Sequence, residues 1–181
     1  MISFKNIFDL KEKTTHLDSS DLRLLDLLQH DASVSIQALA DAAHLSTATC
    51  HRRVKRLRED GWIERQVAIV SADKLRRAHP RPGLQALVEV TLDVQTEEAL
   101  SRFEGQAVQD EAVQQCWRVS PGPDFMLVLT SADMEGYQQV AARLFTAHLG
   151  VRNVRTFFAV KRAKFDTSLP LPDQGHPRSQ G

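Results

Sequence analysis

A chain of 181 residues, 42% of them hydrophobic, can bury a core in one large domain or two small ones, but 23 basic against 23 acidic residues leave no net charge to indicate a nucleic-acid partner. The two cysteines and seven histidines have neither disulfide nor metal-ligand spacing, so we expect no metal and no cofactor. No apolar run reaches transmembrane length and no signal peptide opens the chain, which predicts a cytoplasmic protein with no membrane partner.

The first predicted helix follows residues 1–16, which mix polar and apolar side chains and are interpreted as an N-terminal extension. Asp18 is placed to cap this helix, and Leu17 is placed to close a hydrophobic staple with Leu22. A run of leucines carries the helix to about His30.

Two further helices are predicted with only two residues between them. Ser35 caps the first, which runs to about Ala43. Ser46 caps the second, and Gly61 ends it. Two short helices joined in this way form a helix-turn-helix.

The second of these helices is the candidate DNA-binding helix. Cys50, Val54 and Leu57 follow at i, i+4 and i+7 and are expected to form one buried stripe. The opposite surface is small and hydroxylic at its start and cationic after it, which suits a helix that reaches base edges while its basic flank meets phosphates. Arg53, beside the stripe, is expected to contact a phosphate or form an ion pair. The candidate DNA-binding residues are Ser46, Thr47, Ala48, Thr49, His51, Arg52, Arg53, Lys55 and Arg56.

The competing interpretation is an ordinary helical hairpin, since a run of charges usually marks only a solvated face. DNA binding is favoured because the basic cluster falls on the second helix of the pair. In that case Arg52 and Lys55 are expected to lie in or beside the major groove.

Residues 62–70 are predicted to be extended and to form a short strand pair, or wing. They would complete a winged helix-turn-helix domain over residues 17–70. Residues 71–84 are the predicted linker, because two prolines and a glycine within 79–83 forbid a continued helix or strand ladder.

A second domain is predicted over residues 85–171, followed by a disordered tail, residues 172–181. Its elements follow in the order βαββαβ, with strands at 86–94, 113–120, 125–130 and 154–162, one helix from about Glu97 and one capped by Asp133. That order is the ferredoxin-like arrangement, one antiparallel sheet with both helices on one face. The predicted fold class is therefore α+β, an N-terminal winged helix-turn-helix and a C-terminal ferredoxin-like domain.

The two faces of this sheet are both predicted to be apolar. Val113, Trp117 and Val119 share a face of the second strand. The outer face, which lies away from the helices, is too apolar to be exposed to water and is expected to pair with another subunit. The inner face of the first strand carries Ala86, Val88, Val90, Leu92 and Val94. The residues predicted on the outer face are Leu87, Cys116, Met126, Val128, Phe157 and Ala159.

Several spaced motifs in both predicted domains match one family in order. Those in the first domain are Leu17-Asp18 with Asp21, Leu45-Ser46, Cys50, Arg53-Val54, Arg56-Leu57, Gly61 and Ile63. Those in the second are Val119-Ser120, Gly122, Asp124-Phe125 and Thr167-Ser168-Leu169-Pro170-Leu171. On these motifs the chain resembles the Lrp/AsnC, or feast/famine, family of bacterial transcriptional regulators.

The resemblance implies sequence-specific binding to double-stranded DNA, tuned by an amino-acid effector lodged between subunits. It also implies homodimers formed through the sheets and assembly of dimers into tetramers or octamers. The turn between the second and third strands can offer backbone amides to a carboxylate, and Asp124 can pair with an ammonium group. By analogy, the candidate effector-binding residues are Ser120, Pro121, Gly122, Asp124 and Phe125.

The chain departs from the family at this turn. Pro121 stands where the family usually has glycine, and a proline removes an amide donor that a carboxylate could use. Pro123 stiffens the same turn. The alternative is that Gly122 and Asp124 only build the hairpin, with the aspartate bonded to backbone.

Two other functions compete with an amino-acid-responsive regulator. Some haem-biosynthesis decarboxylases resemble this fold, and His51 and His148 would be their candidate catalytic residues. Such an enzyme would not need the outward cationic cluster of the second helix, which is Arg52, Lys55, Arg56 and Arg58. An architectural DNA-binding protein would bind with weak sequence selectivity and would ignore ligands. We expect a regulator and not an enzyme.

Overall fold

The structure is a computed structural model that describes residues 16–78 and 83–172, which fall into two compact units. The second unit runs from residue 69 to residue 164. The first unit combines the chain before residue 69 with the chain after residue 164. Each unit has its own hydrophobic core.

Parts of three predicted segments lie outside the described residues. These are residues 1–15 of the extension, 79–82 of the linker and 173–181 of the tail. Among the helices of the described ranges, none combines the length and the apolar character needed to cross a bilayer.

The first unit contains the three predicted helices, each with a capping side chain. Asp18, Ser35 and Ser46 are the N-caps, and each side chain accepts a hydrogen bond from an amide of the first turn, as predicted. Asp18 and Asp21 form a reciprocal capping box, with N–H to carboxylate distances of 2.9 and 3.1 Å. The helices are α1 (Ser19–His30), α2 (Ile36–Ala42) and α3 (Thr47–Glu59).

The predicted stripe of α3 is confirmed as the centre of this unit's core. Because 3.6-residue periodicity places i, i+4 and i+7 on one side, a single helix face supplies most of the contact with α1 and α2. The side chains that are at most 2% exposed include Leu24, Leu39, Cys50, Val54 and Leu57.

The predicted strand pair at residues 62–70 is wrong. These residues form neither helix nor strand. Val67, Ile69 and Val70 are 61–67% exposed, so no described part of the chain covers them. Alternating apolar residues form a strand only where a neighbour completes the hydrogen-bond ladder, and the described residues supply no such neighbour here.

The predicted linker, residues 71–84, contains a short helix, α4 (Ala72–Ala78). The Ser71 hydroxyl accepts a hydrogen bond from the amide of Lys74 at 3.3 Å and so caps its first turn. A proline prevents helix at and just before its own position. Residues 72–78, which end two positions before Pro80, were therefore free to form a helix.

The second unit has the predicted βαββαβ order. Its strands are β1 (Leu84–Leu92), β2 (Val113–Arg118), β3 (Phe125–Ser131) and β4 (Val151–Phe158). Its helices are α5 (Glu97–Ala107) and α6 (Met134–Leu144), with a 3-10 turn at Ala147–Leu149. The sheet order is β2-β3-β1-β4, and every neighbouring pair is antiparallel. The predicted ferredoxin-like fold is confirmed.

The inner face of the sheet and one side of each helix form the core of this unit. Phe103 of α5 stacks on Phe125 of β3 with ring centroids 4.8 Å apart. The buried residues from the strands are Ala86, Val88, Val90, Leu92, Phe125, Leu127 and Leu129. Val94 lies beyond the end of β1 and is 56% exposed, so its predicted burial is wrong.

The side chains of β2 beyond Gln115 lie on the opposite face of the sheet from the one predicted. The register shifts between Val113 and Gln115, which is the signature of a β-bulge. As a result Cys116 lies opposite the buried Leu127, and Trp117 lies opposite Met126. One extra residue inverts every later side chain of a strand. Cys116 therefore packs against the core, and Trp117 is 59% exposed on the outer face.

The outer face of the sheet is apolar, as predicted, although one member differs. Leu87 lies opposite both Val128 and Phe157. Leu87, Trp117 and Phe157 are 40%, 59% and 46% exposed. A contiguous exposed apolar surface of this kind is typical of an interaction surface.

Candidate DNA interface and effector turn

The exposed surface of α3 begins at its cap. The Ser46 Oγ accepts a hydrogen bond from the amide of Thr49 at 3.2 Å and donates one to the Thr49 Oγ at 2.8 Å. Thr47 and Ala48 are exposed beside it, and Thr49 is half-buried. The start of α3 therefore presents small side chains, which allow the close approach of another surface.

Three cations on α3 are exposed, Arg52, Lys55 and Arg58, and the last donates a hydrogen bond to Gln66 at 2.7 Å. Among the described residues Arg52 has no hydrogen bond or ion pair, and it lies beside the exposed His51. Within the same described ranges, Lys55 has only a surface ion pair with Glu59, at 3.6 Å. An exposed pair of this kind contributes little and is easily exchanged for another anion.

Two other cations of α3 are held within the unit. Arg53 donates hydrogen bonds to Asp18 at 2.7 Å and to Asp21 at 2.8 Å. Arg56 donates one to Asp21 at 2.6 Å. Asp21 is only 1% exposed, so its charge is matched by two guanidinium groups inside the unit. The structure thus shows the ion-pair alternative for Arg53, and its contact with a DNA phosphate stays a prediction.

These contacts lower the pKa of the capping residue Asp18. Burial by itself raises the pKa of Asp18, but hydrogen bonds from the Asp21 amide and from Arg53 outweigh it and leave the pKa below the usual 3.8. Hydrogen bonds to Asp18 and Asp21 raise the pKa of Arg53. Asp18 and Arg53 therefore both stay charged at neutral pH.

Sequence analysis missed Gln37. Its side chain accepts a hydrogen bond from Thr47, the first residue of α3, and donates one to Asp41. A single glutamine on a polar helix face carries no signal that would have singled it out.

Sequence analysis also missed Gln29 of α1. Its carboxamide donates to the Leu169 carbonyl at 3.0 Å and accepts from the Leu169 amide at 2.8 Å. The motif at residues 167–171 therefore lies against the first unit. The partners are 140 positions apart, so no local pattern could connect them.

The predicted effector turn is partly exposed and partly built into the sheet. Ser120, Pro121 and Gly122 are exposed. Gly122 has φ +129°, a backbone conformation that glycine adopts without strain. This part of the turn can be reached by a ligand or by another subunit.

Asp124 holds the end of the turn against β1. Its carboxylate accepts a hydrogen bond from the Leu92 amide at 2.7 Å, and its own amide donates to the Val90 carbonyl at 2.9 Å. This contact supports the alternative in which the aspartate builds the hairpin. The second carboxylate oxygen is the part of Asp124 left for a ligand.

The expectation for Phe125 is corrected. Its side chain is fully buried, with Phe103 on one side and the Arg118 guanidinium 6.0 Å from the ring centroid. A buried ring offers no surface to an effector, so Phe125 stabilises the core beneath the turn.

The described ranges contain no group of three or more histidine, cysteine, aspartate or glutamate side chains that could hold a metal ion. A cavity of about 510 Å³ opens beside Leu84, Thr130 and Ala159. It lies at the end of the sheet opposite the turn that Asp124 anchors.

Comparison with known proteins assigns the family. Residues 17–64 match a winged helix-turn-helix DNA-binding model, and residues 85–169 match the Lrp/AsnC ligand binding domain. The chain is 34% identical over 155 residues to the DNA-binding transcriptional activator DecR of Escherichia coli K12, a match that covers 86% of this chain and 99% of that protein. The chain belongs to the Lrp/AsnC family of transcriptional regulators.

Other relatives of this Lrp/AsnC regulator support the same family assignment. It is 31% identical to the Bkd operon transcriptional regulator of Pseudomonas aeruginosa, over 86% of this chain and 98% of that protein. A transcriptional regulator of Neisseria meningitidis, solved in complex with L-Met, is 26% identical with a TM-score of 0.72 and covers 86% of this chain and 97% of its own. An AsnC family regulator of Agrobacterium tumefaciens is 28% identical with the same TM-score, 0.72, over 85% of this chain and 97% of its own.

Proposed function

We propose that this Lrp/AsnC regulator binds specific sites on double-stranded DNA with the exposed face of α3, and that an amino acid bound at the β2–β3 turn changes that binding. The observation that carries the proposal is the division of cations on α3. Arg53 and Arg56 are held by Asp21, whereas Arg52 and Lys55 are exposed. Cations that the fold does not use are available to bases and phosphates.

The exposed residues of α3 have different roles in this proposal. The small first turn, from Ser46 to Thr49, approaches the base edges. Arg52 reads a base in the major groove, and Lys55 contacts a phosphate. Arg56 is 40% exposed and can reach a phosphate while it remains bonded to Asp21.

An amino acid is the proposed effector class because a related regulator was solved with L-Met. The ligand would contact the exposed residues Ser120, Pro121 and Gly122 and the second oxygen of Asp124. Pro121 and Pro123 have no amide hydrogen, so Gly122 is the amide in this part of the turn that can meet the carboxylate of the ligand.

The outer face of the sheet is the proposed dimer surface. Leu87, Trp117 and Phe157 would be covered by the same residues of a second subunit, as a two-fold interface requires. Dimers would then assemble into a tetramer or an octamer, with the turn enclosed between them. The effector site would be complete only in that assembly.

The test is DNA binding measured by fluorescence anisotropy. The protein is first used to select a duplex from a randomised library, and its affinity is then compared with that for a shuffled duplex of equal composition. We expect at least about a thousandfold preference for the selected duplex. We also expect at least one of the twenty amino acids to shift the affinity about fivefold or more. Equal affinity for both duplexes contradicts the DNA proposal, and an affinity that no amino acid changes contradicts the effector proposal and favours an architectural role.

A further inference from the structure

Three exposed side chains connect α2 to the first residue of α3. The Gln37 Nε2 donates a hydrogen bond to the Asp41 carboxylate at 3.0 Å. The Thr47 hydroxyl donates one to the Gln37 Oε1 at 2.7 Å. All three side chains are exposed, and Thr47 belongs to the face of α3 that we propose contacts DNA.

The direction of these bonds follows from their chemistry. A carboxylate can only accept hydrogen bonds, so Asp41 turns the NH₂ end of the Gln37 amide toward itself. The carbonyl end then faces Thr47. A hydroxyl has a single hydrogen, and Thr47 gives that hydrogen to Gln37. Toward any further partner the Thr47 hydroxyl can therefore only accept.

The neighbouring hydroxyl of Thr49 is not restricted in this way. It accepts a hydrogen bond from Ser46, and among the described residues its own hydrogen has no acceptor. The restriction on Thr47 comes from its contact with Gln37, whereas the hydrogen of the Ser46 hydroxyl is given to Thr49 within α3 itself.

An acceptor discriminates between the bases in the major groove. Adenine and cytosine each present an exocyclic amino group that donates, at N6 and N4 respectively. Guanine presents the acceptors N7 and O6, and thymine presents O4. A hydroxyl that can only accept bonds well to adenine or cytosine and opposes an acceptor of guanine or thymine.

We infer that Gln37 is a specificity-determining residue, which holds the Thr47 hydroxyl as an acceptor and so selects adenine or cytosine at the base that Thr47 meets. The inference rests on the proposed function, because it requires α3 to lie in the major groove. Gln37 acts through Thr47 and is a positioning residue.

The test is selection from a randomised duplex library with four proteins. They are the unmodified chain, Thr47→Val, Gln37→Ala and, as a matched control, Gln138→Ala at an exposed position of α6. Thr47→Val keeps the shape and removes the hydroxyl, whereas Gln37→Ala returns the hydroxyl hydrogen to Thr47. We expect the unmodified chain and the control to favour adenine and cytosine together over guanine and thymine, about fivefold, at one position of one strand. Both other variants should lose that preference and keep the rest of the motif.

A base analogue gives a second measurement. The selected adenine is replaced by purine, or the selected cytosine by 2-pyrimidinone, since both analogues lack the amino group. The affinity of the unmodified chain should fall about fivefold, and that of Thr47→Val should not change. Circular dichroism and thermal unfolding establish that each variant is folded.

The outcomes separate the two proposals. If the unmodified chain enriches no motif, the proposed function is contradicted. If it enriches a motif that Thr47→Val and Gln37→Ala reproduce in full, or one in which no position groups adenine with cytosine on one strand, only the inference about Gln37 is overturned.

Discussion

The two sides of α3 carry cations that are used differently. On the inner side Arg53 is 21% exposed and is bonded to two carboxylates of α1, one of them buried. On the outer side Arg52 and Lys55 are exposed. The same residue type therefore stabilises the unit at one position and is available for DNA at the next. Proximity to Asp21, and not charge, makes the difference.

The largest effect is expected from Asp21→Ala, which removes the carboxylate that holds the inner arginines of α3. It leaves Arg53 and Arg56 without their buried partner and removes half of the capping box. We expect the free energy of unfolding of the first unit to fall by about 3 kcal/mol, since removal of one partner from a buried pair leaves an uncompensated charge. Urea unfolding followed by Trp62 fluorescence, in a Trp117→Phe background, measures it. Asp26→Ala on the exposed side of α1 is the control, and a loss below about 1 kcal/mol for Asp21→Ala would contradict the assignment.

Arg52→Ala and Arg53→Ala compare the two sides directly. Arg52→Ala should weaken binding to the selected duplex by about 1–3 kcal/mol and relax the preference at one base, with the urea midpoint unchanged. Arg53→Ala should lower the urea midpoint, because it leaves the buried Asp21 with one partner fewer. Anisotropy and urea unfolding are measured on both variants. Equal changes in duplex affinity and in urea midpoint for the two variants would contradict the different roles assigned to Arg52 and Arg53.

Lys55→Ala tests whether Lys55, on the outer side of α3, contacts a phosphate. A phosphate contact is independent of sequence, so affinities for the selected and the shuffled duplex should fall by the same factor. The plot of log affinity against log salt concentration should become less steep by about 0.9, because the protein neutralises one phosphate fewer. Lys74→Ala on α4 is the control. A weaker affinity for the selected duplex alone would show instead that Lys55 reads a base.

Asp18→Asn is expected to have the smallest effect. The Asp18 side chain is 50% exposed, so its pair with Arg53 should contribute under about 1 kcal/mol at neutral pH. Because its pKa lies below 3.8 in the folded protein, this stability is present above pH 3.8 and is lost as the pH falls through the lower folded value. Urea unfolding at pH 7 and pH 3 should show a difference between variant and unmodified chain that shrinks at the lower pH. An equal difference at both pH values would exclude a charge effect.

The helices were open to prediction because their signals are local. A cap such as Asp18 or Ser46 acts on an amide three residues away, and the stripe of α3 recurs within one helix. The candidate DNA-binding residues could be named for the same reason. Their division into held and available cations could not be predicted, since Asp21 precedes Arg53 by 32 positions.

The strands were predicted less well because their facing depends on pairing. The alternation of β1 was confirmed, but one bulge near Gln115 exchanged the faces of Cys116 and Trp117. A helix keeps its period whatever packs against it, whereas the face of a strand residue is set by its register with a neighbour.

By itself the amino-acid sequence determined the family, the three capped helices of the first unit and the βαββαβ order of the second, because each motif, cap and apolar period is carried by residues close together in the chain. Only the tertiary structure decided which arginines are held by α1, which side of the sheet carries Trp117 and where Gln29 meets Leu169. Those contacts join distant positions, and ion pairs and backbone hydrogen bonds have the same chemistry whichever partner the fold brings near.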